Sequence, residues 1–308
     1  MMHKRHVEQG AQPFNTRLAS AELRDALKAQ VIAAVKKLKR DGVAPHLAVV
    51  LVGDNPASTI YVHTKGKMAQ ECGIEFTLHH LPADTSQAAL HLFLEKLNHQ
   101  DDVQGVLLQM PLPPHLDKLE ALNTIAAAKD VDGLTDANHL ALEHDKPSAC
   151  HPCTPLGIMR LLQWAKVPVK GQNVVIIGRS RIVGKPLATM MNHANATVTL
   201  CHSHTADLKA HLKRADIVVA AAGAPDIVTG ADLKQGAVVI DVGINSYTDA
   251  AGVRRLQGDC DYASCAEVAR FITPVPGGVG PMTVMSLMTN MVDVTCRQHK
   301  QPMVKWHI

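Results

Sequence analysis

Tyr61 and Lys65 are separated by four positions in a segment that follows an apolar run at residues 46–53. If that segment is a helix, the two side chains share a face, with Cβ atoms about 5–6 Å apart. A helix after a parallel β-strand begins at the sheet edge where ligands usually bind. Desolvation there can lower the pKa of a lysine, which would let Lys65 act in acid–base chemistry. Taken alone, the pair is more often a surface lysine beside a partly buried tyrosine.

Gln109 and the carboxylate pair Asp130 and Asp132 add further polar groups near the ends of predicted elements. Gln109 closes an apolar run at residues 103–110, directly before a proline-rich stop, so its amide should face the same crevice. That amide is suited to orient a lysine or a substrate oxygen, or simply to complete hydrogen bonding at the strand end. A carboxylate such as Asp132 can accept two N–H donors of a 2-amino-pyrimidinone ring at once. An Asp-Gly turn explains the same residues equally well.

One stretch, NVVIIGRSRIVGKP, contains an apolar β-branched run that ends at Gly178 and is followed by Gly184. This order predicts a strand, a tight turn and the start of a helix. Backbone N–H groups and the helix dipole at such a start form a pocket for an anion. The turn carries Arg179, Ser180 and Arg181, which favours a phosphate as the anion, although an ordinary α/β turn is the alternative.

The segment after the next predicted strand, residues 197–202, bears on which dinucleotide would bind. In an NAD site that strand ends with an Asp or Glu that holds the ribose hydroxyls. Here the chain continues with Ser203 and His204 and has no carboxylate at that point. The missing carboxylate, together with the arginine and hydroxyl groups of the preceding turn, favours NADP over NAD.

A proline- and glycine-rich segment at residues 273–281 interrupts the strand–helix pattern. Within it, Pro276, Gly277, Gly278 and Gly280 combine rigid and permissive backbone, which suits close approach of the main chain to a ligand. A hinge or a linker would have the same composition.

The composition limits the class of protein. The chain has 308 residues, enough for about two domains. Its apolar content of 46%, charged content of 19% and net charge of +3 are typical of a soluble globular protein. The low aromatic content of 3% and the lack of a dense basic cluster argue against nucleic-acid binding. No apolar stretch is long enough to span a membrane and no signal peptide is recognisable, which indicates a cytoplasmic protein.

The seven cysteines are scattered along the chain. Cys150 and Cys153 have the spacing of half a metal or redox site, but no second pair stands at a matching distance. We therefore interpret the cysteines as reduced thiols and predict no metal site.

Alternating apolar strands and amphipathic helices predict an α/β fold with two domains, each with a parallel sheet covered on both faces. In the first block we predict strands at residues 46–53, 75–81 and 103–110, and helices at 21–40, 58–72, with Ser58 as its cap, and 86–98. In the second block a helix begins near residue 154, and the order is Rossmann-like, with strands at 173–178, 197–202, 217–222 and 237–242. A last helix is predicted at 282–298.

The motifs together resemble those of the bifunctional methylenetetrahydrofolate dehydrogenase/methenyltetrahydrofolate cyclohydrolase family. Each motif is weak, but seven of them in one order over roughly residues 15–300 are highly specific. They are Tyr61-Val-His-Thr-Lys65, Gln109-Met-Pro-Leu-Pro113, Asp130-Val-Asp-Gly133, Pro152-Cys-Thr-Pro155, Gly178-Arg-Ser-Arg-Ile-Val-Gly-Lys-Pro186, Asp241-Val-Gly-Ile-Asn245 and Thr273-Pro-Val-Pro-Gly-Gly-Val-Gly-Pro-Met-Thr283.

The resemblance implies a catalytic, folate-binding domain at residues 15–150 plus 282–300 and a Rossmann-like NADP-binding domain at 151–281, with the last helix returning to the first domain. It implies NADP-dependent oxidation of 5,10-methylenetetrahydrofolate and hydrolysis of the product to 10-formyltetrahydrofolate, in cytoplasmic one-carbon metabolism that supplies purine biosynthesis. It also implies a homodimer joined through the cofactor domain.

The resemblance also assigns roles to individual residues. Lys65 would carry the hydrolytic step, with Gln109 orienting it, Tyr61 packing on the folate rings and Asp132 anchoring the pterin. The loop that holds Pro276, Gly277, Gly278 and Gly280 would close over the folate. The cofactor would contact Gly178, Arg179, Ser180, Ser203 and Ile244, with Arg179 and Ser203 at its 2′-phosphate.

The chain departs from the family pattern after Gly133, where an aromatic residue and then Pro-x-Asn-x-Gly are usual and Leu-Thr-Asp136-Ala-Asn138 stands instead. His204 stands where many members carry lysine, which would soften a preference for NADP. Two alternatives therefore remain, namely a dehydrogenase that lacks the second activity and could use NAD, and a protein that binds a dinucleotide without turnover.

Overall fold

The chain forms two α/β lobes, seen in a computed structural model that describes residues 17–249 and 252–308. The first lobe holds a three-stranded sheet and the second a five-stranded sheet, and every strand pair within these two sheets is parallel. Helices cover the sheets, as the alternating pattern predicted. The predicted fold class is therefore confirmed.

The first lobe has the strand order β2-β1-β3. The central strand is buried at every position except its first, which explains its unbroken apolar sequence. The elements are α1 (Ala21–Arg40), β1 (His46–Val52), α2 (Pro56–Glu71), β2 (Glu75–Leu81), α3 (Gln87–Asn98), β3 (Gly105–Leu108), α4 (Lys118–Thr124) and α5 (Asp136–Glu143).

The second lobe has the strand order β10-β7-β6-β4-β5, and a two-stranded antiparallel hairpin, β8-β9, projects beside it. Its first helix, α6 (Cys153–Trp164), connects it to the first lobe. The other elements are β4 (Asn173–Ile177), α7 (Gly184–His193), β5 (Thr197–Cys201), α8 (Leu208–Leu212), β6 (Ile217–Ala220), a 3-10 turn (Gly230–Asp232), β7 (Val238–Asp241), β8 (Asn245–Thr248), β9 (Arg254–Gln257), α9 (Tyr262–Val268) and β10 (Phe271–Ile272).

The last helix, α10 (Val279–Gln298), returns to the first lobe as predicted, where it packs on α1 and α2, and it also packs on α6 of the second lobe. Its buried methionines, among them Met288 and Met291, belong to the same apolar core as Leu27 of α1. Because Met fills irregular gaps, these residues join the helices rather than line a cofactor site.

The predicted start of α2 was wrong. The helix begins at Pro56, and Asn55 caps it by accepting hydrogen bonds from the N–H groups of Ala57 and Ser58, each at 3.1 Å. Proline suits the first helical turn because its missing N–H has no partner there. Ser58 lies inside the helix, where its hydroxyl donates to the carbonyl oxygen of Met110 at 3.2 Å.

Several short elements were not predicted, namely α4, α5, α8, α9, β10, the 3-10 turn and the β8-β9 hairpin. Helix α10 also begins three residues earlier than residue 282. Within the described part of the chain, no helix is long and apolar enough to cross a membrane. All seven cysteines are buried free thiols.

Candidate active site

Lys65 and Gln109 form the centre of a cleft beside the first sheet. Lys65 lies on α2 with 8% of its surface exposed, and its Nζ donates to Oε1 of Gln109 at 3.0 Å. Gln109 follows β3, and its own Nε2 donates to the carbonyl oxygen of Met110 at 2.6 Å. That second bond holds the amide so that its oxygen faces the lysine. The predicted pairing of the amide with the lysine is thus present.

The cleft around this pair has a volume of about 380 Å³ and draws on both lobes. Tyr61 lies on the same face of α2 as Lys65 and lines the cleft, as the four-residue spacing predicted. Burial raises the pKa of the Tyr61 phenol, so the ring stays neutral and presents an apolar face. Ile182 and Ile244 approach from the second lobe, so a molecule in the cleft would touch both lobes.

The two carboxylates of the Asp130–Asp132 pair have different surroundings. Asp130 is 2% exposed and accepts hydrogen bonds from the N–H groups of Gly133 and Thr135 and from the Asn138 amide, at 2.8, 2.8 and 2.9 Å. Asp132 instead lines the cleft with Lys65. Burial raises the pKa of Asp132, and the positive charge of Lys65 partly opposes that rise. Asp130 therefore shapes the loop, and Asp132 offers a carboxylate to a ligand.

The proline- and glycine-rich segment forms the wall of a neighbouring cavity of about 310 Å³. Tyr61 and Ile244 line both cavities, so the two adjoin each other. Ser20 holds the segment in place, since its hydroxyl and its N–H both donate to the carbonyl oxygen of Gly277, at 3.0 and 3.1 Å. The four predicted residues all line this cavity, namely Pro276, Gly277, Gly278 and Gly280.

The predicted strand–turn–helix lies at the carboxyl edge of the second sheet. Gly178 has φ +110°, and a Cβ there would stand 2.1 Å from the carbonyl oxygen of Ala221. A Cβ on Gly184 would stand 1.9 Å from the carbonyl oxygen of Gly178. Only glycine fits either position, because the backbone packs closely there, and the resulting tight turn leads directly into the N-terminus of α7, where backbone N–H groups can bind a phosphate. This geometry fits the dinucleotide expected from the sequence.

Arg179 and Ser203 follow neighbouring strands at that edge. The parallel register pairs Ile177 with Cys201, so Arg179 and Ser203 each stand two residues beyond paired positions. Both are exposed and accessible to a ligand. Ser180 is exposed as well, and its hydroxyl accepts from the N–H groups of Val183 at 3.2 Å and Gly184 at 3.5 Å at the start of α7.

Arg181 does not face the anion pocket, although its place in the turn suggested that it would. Its Nη2 donates to the carbonyl oxygen of Leu134 at 3.1 Å and to the carboxylate of Asp136. The side chain therefore points to the first lobe and away from the turn, because a carboxylate there pairs with the guanidinium.

Asp259 is a structurally important residue that no sequence motif indicated. It is fully buried, and its Oδ2 accepts from the N–H groups of Ala222 and Gly223 at 2.7 and 2.9 Å, while its Oδ1 accepts from the Asn245 amide at 2.9 Å. It thereby fixes two loops at the carboxyl edge of the second sheet, one of them next to Ile244. Nothing in its local sequence separates it from an ordinary turn aspartate.

Two family models match the chain. Residues 18–132 match the catalytic domain of tetrahydrofolate dehydrogenase/cyclohydrolase, and residues 152–299 match its NAD(P)-binding domain. The chain belongs to the tetrahydrofolate dehydrogenase/cyclohydrolase family. The predicted family is confirmed, and the chain is an enzyme with dehydrogenase and cyclohydrolase activities.

Members of the tetrahydrofolate dehydrogenase/cyclohydrolase family match over nearly the whole chain. A bifunctional protein FolD of Moorella thermoacetica is 47% identical over 93% of this chain and 99% of its own length. The solved structure of the bifunctional FolD enzyme of Campylobacter jejuni has a TM-score of 0.88 and 41% identity over 92% of this chain and 99% of that one.

A second solved structure of the family, from Trypanosoma brucei, was obtained with an NADP cofactor and an inhibitor. It superposes with a TM-score of 0.90 at 36% identity and covers 94% of this chain and 100% of that one. The similarity spans both lobes, so the two structures share the fold of each lobe and the arrangement of the lobes relative to each other.

Proposed function

We propose that the cleft around Lys65 carries out two consecutive reactions on one folate. In the first, 5,10-methylenetetrahydrofolate loses a hydride to NADP⁺ and becomes the 5,10-methenyl cation. In the second, water adds to the cation, the bond between the one-carbon unit and N5 breaks, and 10-formyltetrahydrofolate and a proton are released. The activities and NADP follow from the family and its NADP-complexed member.

The observation that carries the proposal is the shared cleft. Lys65, Gln109, Asp132 and Tyr61 line one cavity together with Ile244 of the second lobe. A folate held by the first lobe would therefore present its one-carbon unit to whatever the second lobe binds. One cavity that is lined by residues of both lobes explains how a single enzyme performs both reactions.

For the oxidation, bound NADP⁺ supplies the hydride acceptor. The chain's own contribution is orientation, because the product cation is already stabilised by the folate nitrogens. Asp132 accepts the paired N–H donors of the pterin, since its carboxylate faces the cleft at the end of the first lobe. Tyr61 packs on the folate rings with a neutral, apolar face.

For the hydrolysis, Lys65 moves protons. A proton must leave the attacking water and another must reach N5. Lys65 lines the cavity that would hold both groups, so its side chain can serve both transfers. Gln109 acts on the lysine, because its oxygen accepts from Nζ at 3.0 Å and restricts the direction of the ammonium.

The cofactor side uses the edge of the second sheet. The N-terminus of α7 would hold the pyrophosphate, Gly178 allows the tight turn that leads to it, and the Ser180 hydroxyl shapes that turn. Arg179 and Ser203 bind the 2′-phosphate, since charge-assisted bonds to phosphate oxygens suit an exposed guanidinium. Ile244 packs against the nicotinamide end. The loop with Pro276, Gly277, Gly278 and Gly280 covers the folate.

The predicted domain bounds, 15–150 plus 282–300 and 151–281, remain part of this proposal, as does a homodimer joined through the cofactor domain. Three large apolar side chains of the β8-β9 region, Tyr247, Val253 and Leu256, are 44–47% exposed. A partner subunit that covers them would remove this surface from water. The setting we propose is cytoplasmic one-carbon metabolism that feeds purine biosynthesis.

A single assay tests the proposal. Mixing the protein with 5,10-methylenetetrahydrofolate and NADP⁺ should produce the absorbance of the methenyl product, followed by its decay as water opens the ring. A rise without decay would identify a dehydrogenase that lacks the second activity. A flat trace from folded protein would instead favour a dinucleotide-binding protein without turnover, and a strong preference for NAD⁺ would contradict the roles of Arg179 and Ser203.

A further inference from the structure

Arg181 makes a contact between the two lobes that the family's activities do not explain. It lies in the turn between β4 and α7, beside the residues proposed to hold phosphate. Its guanidinium reaches the first lobe, where it donates to the carbonyl oxygen of Leu134 and pairs with the carboxylate of Asp136. The turn of the second lobe is therefore tied to a specific stretch of the first.

That stretch is held firmly and lies close to the proposed pterin site. Leu134 and Asp136 follow Asp132 by two and four positions. Asp130 fixes the intervening backbone through the N–H groups of Gly133 and Thr135. A shift of the stretch would thus move Asp132, which lines the cleft.

The other end of the contact is equally close to the cleft. Ile182, the neighbour of Arg181, is 43% exposed and lines the cavity that holds Lys65. Ser180, the neighbour on the other side, holds the start of α7 through Val183 and Gly184. Arg181 therefore joins the phosphate-binding turn, the cleft and the segment that carries Asp132.

The energetics indicate a geometric role rather than a stabilising one. The paired side chains of Arg181 and Asp136 are 34% and 59% exposed, and an ion pair as exposed as this adds little to folding stability. The Nε of Arg181 is also buried without a hydrogen-bond partner among the described residues, which carries a cost. What the contact does provide is a fixed orientation, because two acceptors from one segment hold one Nη2 atom.

We propose that Arg181 is a positioning residue that couples the cofactor turn to the folate-binding segment through Leu134 and Asp136. The inference rests on the proposed function, because it assigns the two ligands to the two lobes. Binding of either ligand orders its own side of the contact, so each ligand makes binding of the other more favourable. In the oxidation, the contact sets the alignment of the two reactants; the hydrolysis needs only the first lobe's residues.

A second contact across the same lobes supplies a matched control. The Thr189 hydroxyl of α7 donates to the Glu143 carboxylate of α5 at 3.0 Å. This pair joins the same two helical regions but involves neither the phosphate-binding turn nor the Asp132 segment. Thr189→Val removes an inter-lobe bond of comparable exposure while leaving the proposed coupling in place.

The test measures binding as well as turnover. Calorimetric titration of NADP⁺ in the presence and absence of saturating tetrahydrofolate should show roughly 5-fold or greater mutual enhancement in the unaltered enzyme, a typical size for coupling between sites. In Arg181→Met and in Asp136→Asn the enhancement should fall below about 2-fold, and the exchanged pair Arg181→Asp with Asp136→Arg should recover at least half of it. Thr189→Val should keep the full enhancement.

The two activities give an independent readout. Arg181→Met should lower kcat of the dehydrogenase about 10-fold and change the cyclohydrolase, assayed with the methenyl substrate and no NADP⁺, by less than about 2-fold. The proposal would be overturned if Arg181→Met lost both activities equally or kept the full binding enhancement. It would also be overturned if Thr189→Val lost the enhancement as Arg181→Met is expected to, or if the exchanged pair did not recover the enhancement. Should the unaltered protein bind both ligands but turn neither over, the proposed function fails while the coupling is still measured.

Discussion

The ammonium of Lys65 and the amide oxygen of Gln109 are 3.0 Å apart, and the same amide donates to the carbonyl oxygen of Met110 at 2.6 Å. The two side chains come from a helix and from the end of a strand, 44 positions apart in the chain. The donation to Met110 leaves the amide only one orientation, with its oxygen toward the lysine. Lys65, the residue that we propose transfers protons, thus already has a fixed hydrogen-bond partner in the protein without substrate.

Replacement of Lys65 by Met should abolish the cyclohydrolase. A positioned acid–base group contributes roughly 10²–10⁴-fold, so we expect a loss of at least about 100-fold in kcat with the methenyl substrate. Folate binding should persist because Asp132 and Tyr61 remain. Lys67→Met, at an 80% exposed lysine on the same helix, is the control and should retain activity. Full hydrolysis by Lys65→Met would remove Lys65 from the mechanism.

Asp132 should make folate binding dependent on pH. Burial raises the pKa of this carboxyl, so it takes up a proton at a higher pH than an ordinary aspartate does as the solution is acidified. The protonated form loses the charge that holds the pterin, and KM for methylenetetrahydrofolate should rise as pH falls through the raised pKa.

Asp132→Asn should show a KM increase of about 10–100-fold with that pH dependence removed, the size expected for hydrogen bonds to a charged group. The exposed Asp102 lies at the other end of the first sheet, and Asp102→Asn should behave as the unaltered enzyme. An identical pH profile in Asp132→Asn and in the unaltered enzyme would show that another group titrates.

Arg179 should select NADP over NAD. Loss of one charge-assisted bond to the 2′-phosphate should raise KM for NADP⁺ by about 10–100-fold in Arg179→Ala. KM for NAD⁺, which lacks that phosphate, should change little, so the ratio of kcat/KM for the two cofactors is the measurement. Arg214→Ala removes an exposed arginine elsewhere on the second lobe and should leave the ratio unchanged; an equal change for both cofactors would contradict the assignment.

Asp293 should make folding stability fall as pH rises. Burial raises its pKa from the ordinary 3.8 to about 6, although Trp306 donates to it at 3.1 Å. Between these two values the folded state binds more protons than the unfolded state, so the free energy of unfolding decreases with increasing pH. Above the folded-state pKa of Asp293, the buried carboxylate is charged and its full destabilising effect on the folded state is present.

Asp293→Asn keeps an acceptor for Trp306 and removes the charge. Its free energy of unfolding at pH 7 should exceed that of the unaltered protein by on the order of 2 kcal/mol, and the two should converge near pH 4. Urea unfolding at several pH values gives both quantities, with the exposed Asp84→Asn as control. A variant that is less stable at every pH would show that the charge itself is needed.

The local elements were predictable because their periodicity is strong. Helix α1 has the predicted bounds, residues 21–40, since its apolar positions recur on one helical face. Strand β1 lies within the predicted 46–53 run because a buried parallel strand is apolar throughout. The start of α2 was misplaced by two residues, because Asn55 and Ser58 are both good caps and only the folded backbone selects one.

The sequence by itself determined the family, the two α/β lobes, the glycines that no Cβ can replace and the residue types available for chemistry. These follow from local backbone rules and from the order of motifs. Only the tertiary structure decided that Asp130 fixes the loop beside Asp132, that Arg181 binds Asp136 rather than an anion, and that Asp259 fixes the loops at the sheet edge. Each of those outcomes depends on side-chain direction and on partners up to 45 positions away, which local patterns do not encode.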